Sequence, residues 1–343
     1  MRDRRKPILI RAAVILLAAC AVFFMILKLM NQSWSEQHQF QETRETGNQS
    51  FMDEGVVERD GKRYRKKPAL TLILLAGIDK DGSETVSPRV SYRNGGQADF
   101  LMLMAVDHEE KKIHQLQIDR DTMAEITILG MYGNETGSRE LQICLAHSFG
   151  ARPEDNARYT VRAVRKLLND LEFDGYYMVD YSAVPILTDL LDGIPLTIPE
   201  DMTAVNPEWY KGHTITLHGK DAETFVRTRK TVGSGTNAER MNRQAVYMRS
   251  AINRIHQKLS EDSRFSSQML SAFRTIAVTD LTEQKLLEEI SKARLYEVLP
   301  VDRLPGRYEQ DESGFAAFYP DEGSAMEWIT DHLYSVLPGS GSE

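Results

Sequence analysis

"ALTLILLAGID", residues 69–79, is an almost continuous apolar run of strand length. Such a run fits a strand covered on both faces, as in the middle of an α/β sheet. The segments around it extend that reading. "DFLMLMAVDH", residues 99–108, predicts a second strand. "KIHQLQID", residues 112–119, predicts a third, with Ile113, Leu116 and Ile118 at its apolar positions, and the turn Glu109–Lys111 makes the two a hairpin. A helix is expected over 154–171, where Ala157, Val161, Val164, Leu167 and Leu168 recur at helical spacing. "GYYMVDYS" (175–182) predicts another strand, residues 182–191 a helix, and "GIPLTIP" (193–199) a short strand whose prolines suit an edge. Helices at 283–293 and 324–336, with a short strand around 296–299, complete the chain. This order predicts an α/β fold, an α-β-α sandwich around a mixed central β-sheet.

The 343 residues include 41% hydrophobic and 27% charged ones, the composition of a folded globular protein, with a net charge of −8. The acidic balance argues against nucleic acid as a partner. There are two cysteines, Cys20 and Cys144, and no metal-binding Cys/His spacing. The first thirty residues set the location. "MRDRRKP" is basic, and "AAVILLAACAVFFMIL" from Ala12 to Leu27 is uninterrupted apolar sequence bracketed by Arg11 and Lys28. Extended from Ile8 to Met30, it has the roughly 20 residues a transmembrane helix needs. Positive charge before it places the N-terminus in the cytoplasm and the rest outside. Residues 1–30 are therefore read as a signal anchor, 31–67 as a polar tether, 68–337 as one outer domain and 338–343 as a tail. Leu17–Cys20 also resembles a lipoprotein cleavage box, and that alternative stays open.

Against the acidic background, residues 217–249, "LHGKDAETFVRTRKTVGSGTNAERMNRQAVYMR", carry a burst of cations. Arg227 and Arg229 stand two apart and would share one face of a strand. Arg240, Arg243 and Gln244 lie at helical spacing after a capping box, Thr236-x-x-Glu239. The stripe expected to be buried on that helix is Met241, Ala245, Met248, Ile252, Ile255 and Leu259, with the arginines beside it. Planar guanidinium forks suit phosphate oxygens, and a helix N-terminus adds to the field. A solvated basic surface is the bland alternative. Aspartates gather at the predicted strand ends: Asp79, Asp99, Asp119 and Asp121. Carboxylates beside a phosphate-binding arginine group are a usual way to hold Mg²⁺.

Five motifs in order, "ILLAGID", "GQADFLMLMAVD", "LQIDRDTMAEI", "LHGKDAETFVRTRK" and "NAERMNRQ", resemble the LytR-CpsA-Psr family from about Leu70 to Leu259. The resemblance implies an α/β/α sandwich and a phosphotransferase that moves a glycopolymer phosphate from an undecaprenyl-pyrophosphate carrier to peptidoglycan in the bacterial envelope. By position, Asp79 and Asp99 match the family's metal and catalytic aspartates, Arg120 its "RDT" arginine, Arg227 and Arg229 its "R-x-R", and Arg240, Arg243 and Gln244 its "R-x-x-R-Q". These arginines and Gln244 are implied to bind the pyrophosphate, with Asp99, Arg120, Arg227 and Arg229 catalytic and Asp121 in support. The chain departs from the pattern in carrying Gln97 for an arginine, Asp119 for a proline, Gln142 for a lysine and Asn237 for an aspartate. Arg89 or Arg93 would compensate for the lost cations. The expected mechanism is Mg²⁺-assisted phosphoryl transfer with Asp99 as base or metal ligand. Cys144 and His147 are expected to pack rather than react. A non-catalytic lipid-pyrophosphate or polymer-binding protein and a lipid pyrophosphatase are the alternatives, and the slot for the isoprenoid tail has no sequence signature.

Overall fold

The computed structural model describes residues 55–80, 95–229, 231–233, 235–310 and 314–338. The expected anchor at 8–30, Cys20, most of the tether, and Arg89 and Arg93 lie outside them. Among the described residues no helix is long and apolar enough to cross a membrane.

In chain order the elements are β1 (Val56–Arg59), β2 (Lys62–Lys66), β3 (Leu70–Ile78), β4 (Ala98–Asp107), β5 (Lys112–Ile118), β6 (Met123–Leu129) and β7 (Glu135–Gln142). Then come a 3₁₀ turn at Ile143–Ser148, α1 (Pro153–Leu167), β8 (Gly175–Asp180), α2 (Ala183–Leu190), β9 (Ile194–Thr197) and β10 (Thr214–Leu217). After these lie α3 (Gly219–Arg227), α4 (Asn237–Glu261), α5 (Phe265–Phe273), β11 (Ala277–Thr279) and α6 (Glu283–Ala293). The chain closes with β12 (Glu297–Asp302), β13 (Gly306–Gln310), β14 (Ala316–Pro320), α7 (Ser324–Leu333) and β15 (Tyr334–Val336).

Six strands form the central sheet in the order β11-β8-β3-β4-β5-β12. The sheet is mixed. β3, β4 and β5 run antiparallel to their neighbours in that trio, while β8 lies parallel to β3 and β12 parallel to β5. The apolar run that begins at Ala69 sits in the middle, with Leu72, Leu74, Ala76 and Ile78 facing one core together with Leu101, Leu103 and Leu116. Ala157, Val164 and Leu168 from the α1 side and Trp328, Ile329 and Leu333 from α7 close that core. A second core contains Tyr181, Leu191, Phe225, Val226, Tyr247, Ala251 and Phe265, contributed largely by α2 to α5. Helical layers thus accompany a mixed sheet, as the element order predicts.

Several boundaries differ for physical reasons. α1 ends at Leu167, because Asn169 and Asp170 adopt left-handed backbone conformations that stop a helix. α7 stops at Leu333, and Tyr334–Val336 pair instead with β2 across Tyr334↔Lys66. That pairing, with β1 and β2, begins regular structure ahead of Pro68. The strand expected to carry Arg227 and Arg229 does not form. Ala222, Phe225 and Val226 are buried at helical spacing, with Asp221 in the first turn, so this segment is α3. Arg227 is its last residue and Arg229 follows in the loop. On α4 the capping box does form, Thr236 Oγ1 accepting from Glu239 N at 3.4 Å. The buried face, however, is Arg240, Met241, Arg243, Gln244, Tyr247, Ala251 and Leu259, while Ala245, Met248, Ile252 and Ile255 are half-buried. The helix is turned toward its polar side, and its arginines lie within the buried stripe.

Leu103, fully buried on β4 in the first core, is a sensitive probe of this sandwich. Leu103→Ala is expected to cost about 2–5 kcal/mol through lost burial and a residual cavity, read as a lower urea midpoint with an unchanged m-value.

Candidate functional site

The site is built at the ends of β3, β4 and β5. Gly96 has φ of +73°, and a Cβ there would stand 2.8 Å from Ile78 Cγ2 and 3.1 Å from Asp79 O. Glycine therefore permits the tight approach that brings Gln97 O to Asp79 N, at 2.8 Å, and starts β4. Asp99, 7% exposed, is the second residue of that strand. Its two oxygens meet two guanidinium groups: Oδ1 pairs with Arg120 and Oδ2 lies 3.0 Å from Arg240 Nη1. Arg120 also donates to Gln97 Oε1 and to Cys144 Sγ, the latter at 3.1 Å, and its Nε lies 3.3 Å from Asp121 Oδ1.

From Arg240 the network continues. Its Nη2 and Nε donate to Asn237 Oδ1 at 2.6 and 3.2 Å, and Asn237 Nδ2 donates to Asp119 Oδ1 at 2.7 Å. Asn237 links the two because an amide both accepts and donates. Burial raises the Asp121 carboxyl above its ordinary value, and Asp121 Oδ2 has no hydrogen-bond partner among the described residues.

The exposed rim belongs to Arg227. Its Nη2 lies 2.7 Å from Asp79 Oδ1, its Nη1 2.7 Å from Glu223 Oε1, and its guanidinium sits 4.6 Å from the Tyr181 ring centroid. Arg229 donates from Nε to Gly235 O at 3.2 Å. Arg243 occupies a different position. At 1% exposed it donates to the carbonyls of Phe225, at 3.0 Å, and Thr228, and pairs with Glu200. Those carbonyls flank Arg227, so Arg243 fixes the turn from which Arg227 projects. Gln142 donates to Ala316 O at 3.0 Å.

Beside this polar cluster lies an apolar cavity of about 190 Å³ between the second face of the sheet and the helices above it. Leu75, Phe100, Tyr177 and Val179 line it from the strands, and Val184, Leu187, Val226, Tyr247, Met248 and Phe273 from the helices. Tyr181 and Gln244 also line it, and among the described residues Tyr181 Oη and Gln244 Nε2 are both buried without a partner. Tyr181 touches both environments, since Arg227 stacks on its ring. The slot had no signature in the sequence because its walls come from seven separate elements and each apolar residue alone reads as core.

Asp79 and Asp99 supply hard oxygen donors on adjacent strand ends, but among the described residues no three His, Cys, Asp or Glu side chains converge as a metal cage. Mg²⁺ takes one or two carboxylates and completes its shell with phosphate oxygens and water; here both Asp99 oxygens lie on Arg120 and Arg240, and Asp79 Oδ1 lies on Arg227. Cys144 and His147 are buried, as expected of packing residues. Burial pushes the Cys144 thiol up to about 11, so at neutral pH it is a thiol bonded to Arg120.

The model of the LytR_cpsA_psr family matches residues 24–330. The chain is 30% identical over 186 residues to the polyisoprenyl-teichoic acid–peptidoglycan teichoic acid transferase TagU of Bacillus licheniformis, covering 53% of this chain and 51% of that protein. It is 26% identical over 215 residues to the transferase TagV of Bacillus subtilis, covering 61% and 48%. The chain thus spans about half the length of these curated relatives. Among solved structures, Bacillus subtilis TagV aligns with a TM-score of 0.57 at 20% identity, over 76% of this chain and 94% of that one. A structure of TagT bound to LI-WTA aligns with the same TM-score at 19% identity, over 84% and 96%. These likenesses establish a shared fold.

His147 anchors the approach to Asp99, its Nδ1 donating to Gly95 O at 2.8 Å. Burial holds its imidazole down at about 4, from an ordinary 6.5. The folded protein keeps this ring neutral where the unfolded chain would protonate it. The stability it contributes is whole above about pH 6.5 and is lost as pH falls from there toward 4. His147→Gln is expected to flatten the pH dependence of urea-unfolding stability in that window by up to about 1.4 kcal/mol per pH unit.

Proposed function

Because the chain belongs to the LytR_cpsA_psr family, we propose that it is an envelope transferase acting on a glycopolymer carried by a polyisoprenyl pyrophosphate, with peptidoglycan as acceptor. The curated relatives' names point to that substrate class. One observation carries the reading. An apolar slot and a cluster of guanidinium groups meet at Tyr181 and Arg227, and that pairing fits an amphiphile with an apolar tail and a polyanionic head. The apolar run at 8–30 would hold the domain at the outer surface of the cell membrane, where such a carrier resides, with the N-terminus in the cytoplasm.

The tail enters the slot with its first isoprene units against Phe100, Tyr177, Val184 and Met248. The pyrophosphate then lies among Arg120, Arg227, Arg229 and Arg240. Each of these guanidinium groups is now bonded to a carboxylate, amide or carbonyl oxygen. The incoming phosphates share those donors through charge-assisted hydrogen bonds. Arg243 acts indirectly, by holding the carbonyls around Arg227. Gln244 Nε2, unpartnered at the slot wall, is placed to donate to a phosphate oxygen.

A hydroxyl of the acceptor glycan attacks the phosphorus that bears the glycopolymer. A new oxygen–phosphorus bond forms, the bond to the bridging oxygen breaks, and polyprenyl phosphate leaves with the electron pair. Asp99 serves as base or as metal ligand: as base it takes the acceptor proton, with Asp121 supporting Arg120. Asp79 and Asp99 would hold Mg²⁺, which supplies charge neutralisation on the pyrophosphate. The arginines stabilise the charge that grows on the transferring and leaving oxygens, and positioning with charge stabilisation accounts for most phosphoryl-transfer catalysis.

Incubation with a pyrophosphoryl-lipid glycan, Mg²⁺ and wall acceptor tests the reading. A phosphodiester product supports transfer, free phosphate alone indicates a hydrolase, and retention without turnover indicates a binding protein. Asp99→Ala and Arg227→Ala are each expected to lower kcat/KM by at least about a hundredfold, and unchanged turnover in both would remove the site from this location. Val184→Trp fills the slot without touching the cation cluster. It is expected to abolish binding of polyprenyl pyrophosphate while inorganic pyrophosphate binds as before, measured by calorimetric titration.

A further inference from the structure

A second cavity, about 150 Å³, opens between β5, the first turn of α4 and the β13–β14 hairpin. Its character differs from that of the slot. Gln117, Asp119, Thr122 and Arg303 give it polar walls, and Tyr308, tilted against Phe318 at 4.9 Å between ring centroids, gives it an aromatic one. Arg303 is exposed, and among the described residues no carboxylate pairs with it. Its Nε and Nη2 both donate to a single neutral acceptor, Gln117 Oε1, at 3.0 and 2.9 Å. A guanidinium has five N–H groups, so most of this fork is unused by the protein.

The cavity is joined to the reaction site by two bonded chains. Gln117 Nε2 donates to Gln244 Oε1 at 3.3 Å, and Gln244 lines the slot. Tyr308 Oη donates to Asp119, which Asn237 ties to Arg240 and so to Asp99. A ligand seated here is therefore registered against both the tail slot and the pyrophosphate cluster.

We propose that this cavity binds a carboxylate-bearing sugar of the acceptor glycan, its carboxylate on Arg303 and its ring face against Tyr308. The assignment deepens the transferase reading and rests on it. Three features select this ligand. The volume suits one sugar ring and not a lipid or a polymer segment. Neutral and anionic acceptors beside a cationic fork match hydroxyls and a carboxylate on the same residue, and the fork geometry favours a planar bidentate anion. The aromatic wall offers a flat apolar face for the C–H side of a ring. A phosphate of the donor polymer shares part of this chemistry, and the measurement separates the two sources.

The full chain in detergent is titrated with soluble peptidoglycan glycan strands carrying free carboxylates, and with the same strands after carboxyl reduction. Wild type is expected to bind the carboxylated strands about tenfold more tightly, the size of one charge-assisted contact. Arg303→Gln is expected to erase that preference and to leave binding of polyprenyl pyrophosphate unchanged, and Tyr308→Ala to weaken both strand forms alike. The assignment is overturned if wild type shows no carboxylate preference or if Arg303→Gln retains it. It is also overturned if Arg303→Gln weakens binding of the lipid-linked polymer in place of the strands, which would give the cavity to donor phosphate. Polyprenyl pyrophosphate binding by wild type is read in the same series, so failure of the donor reading appears on its own.

Discussion

The carboxylate of Asp99 lies between Arg120 and Arg240, and the rest of the site depends on that arrangement. An aspartate 7% exposed is costly to bury alone, and so is each arginine. Bonded together they become tolerable, and the bonding fixes three segments far apart in the chain: the start of β4, the end of β5 and the first turn of α4. Removing Asp99 takes from two buried arginines their shared carboxylate, and removing either arginine leaves Asp99 half-compensated, which is a stronger constraint on sequence than the net contribution of the pair. Asn237, Asp119 and Tyr308 extend the same network outward, and Gln97 and Cys144 cap Arg120.

Much of the fold can be read from hydrophobic pattern alone, because β3, β4 and α1 are buried in the way their periodicity demands. The misread segments are those where tertiary contacts outweigh local pattern. Tyr334–Val336 continue a helical pattern, yet β2 offers an open edge and takes them as a strand. Arg227 and Arg229 have strand-like alternation over three residues, while the apolar spacing of Ala222, Phe225 and Val226 decides for a helix over nine. The longer pattern prevails.

The candidate site was legible as a set of residues but not as a division of labour. Spacing brought Asp99, Arg120 and Arg240 forward, and the fold joins them. Spacing gave no way to see that Arg243 faces inward to the carbonyls of Phe225 and Thr228 while Arg227 faces the rim. Helical neighbours three apart on α4 diverge because one approaches the sheet end and the other approaches the preceding helix. The slot and the Arg303 cavity were invisible for a different reason. Each is a gap between elements, and a gap has no residue of its own to announce it.

The slot also bears on the thermodynamics of the whole domain. An apolar space of about 190 Å³ left within a layer of packed helices forfeits dispersion contacts that a filled core would have, a deficit on the order of a few kcal/mol. A ligand that fills it returns those contacts to the folded state and has nothing comparable to offer the unfolded chain. Occupancy then raises the melting temperature in proportion to the logarithm of ligand concentration. The stability of the folded protein is thereby linked to occupancy of the slot.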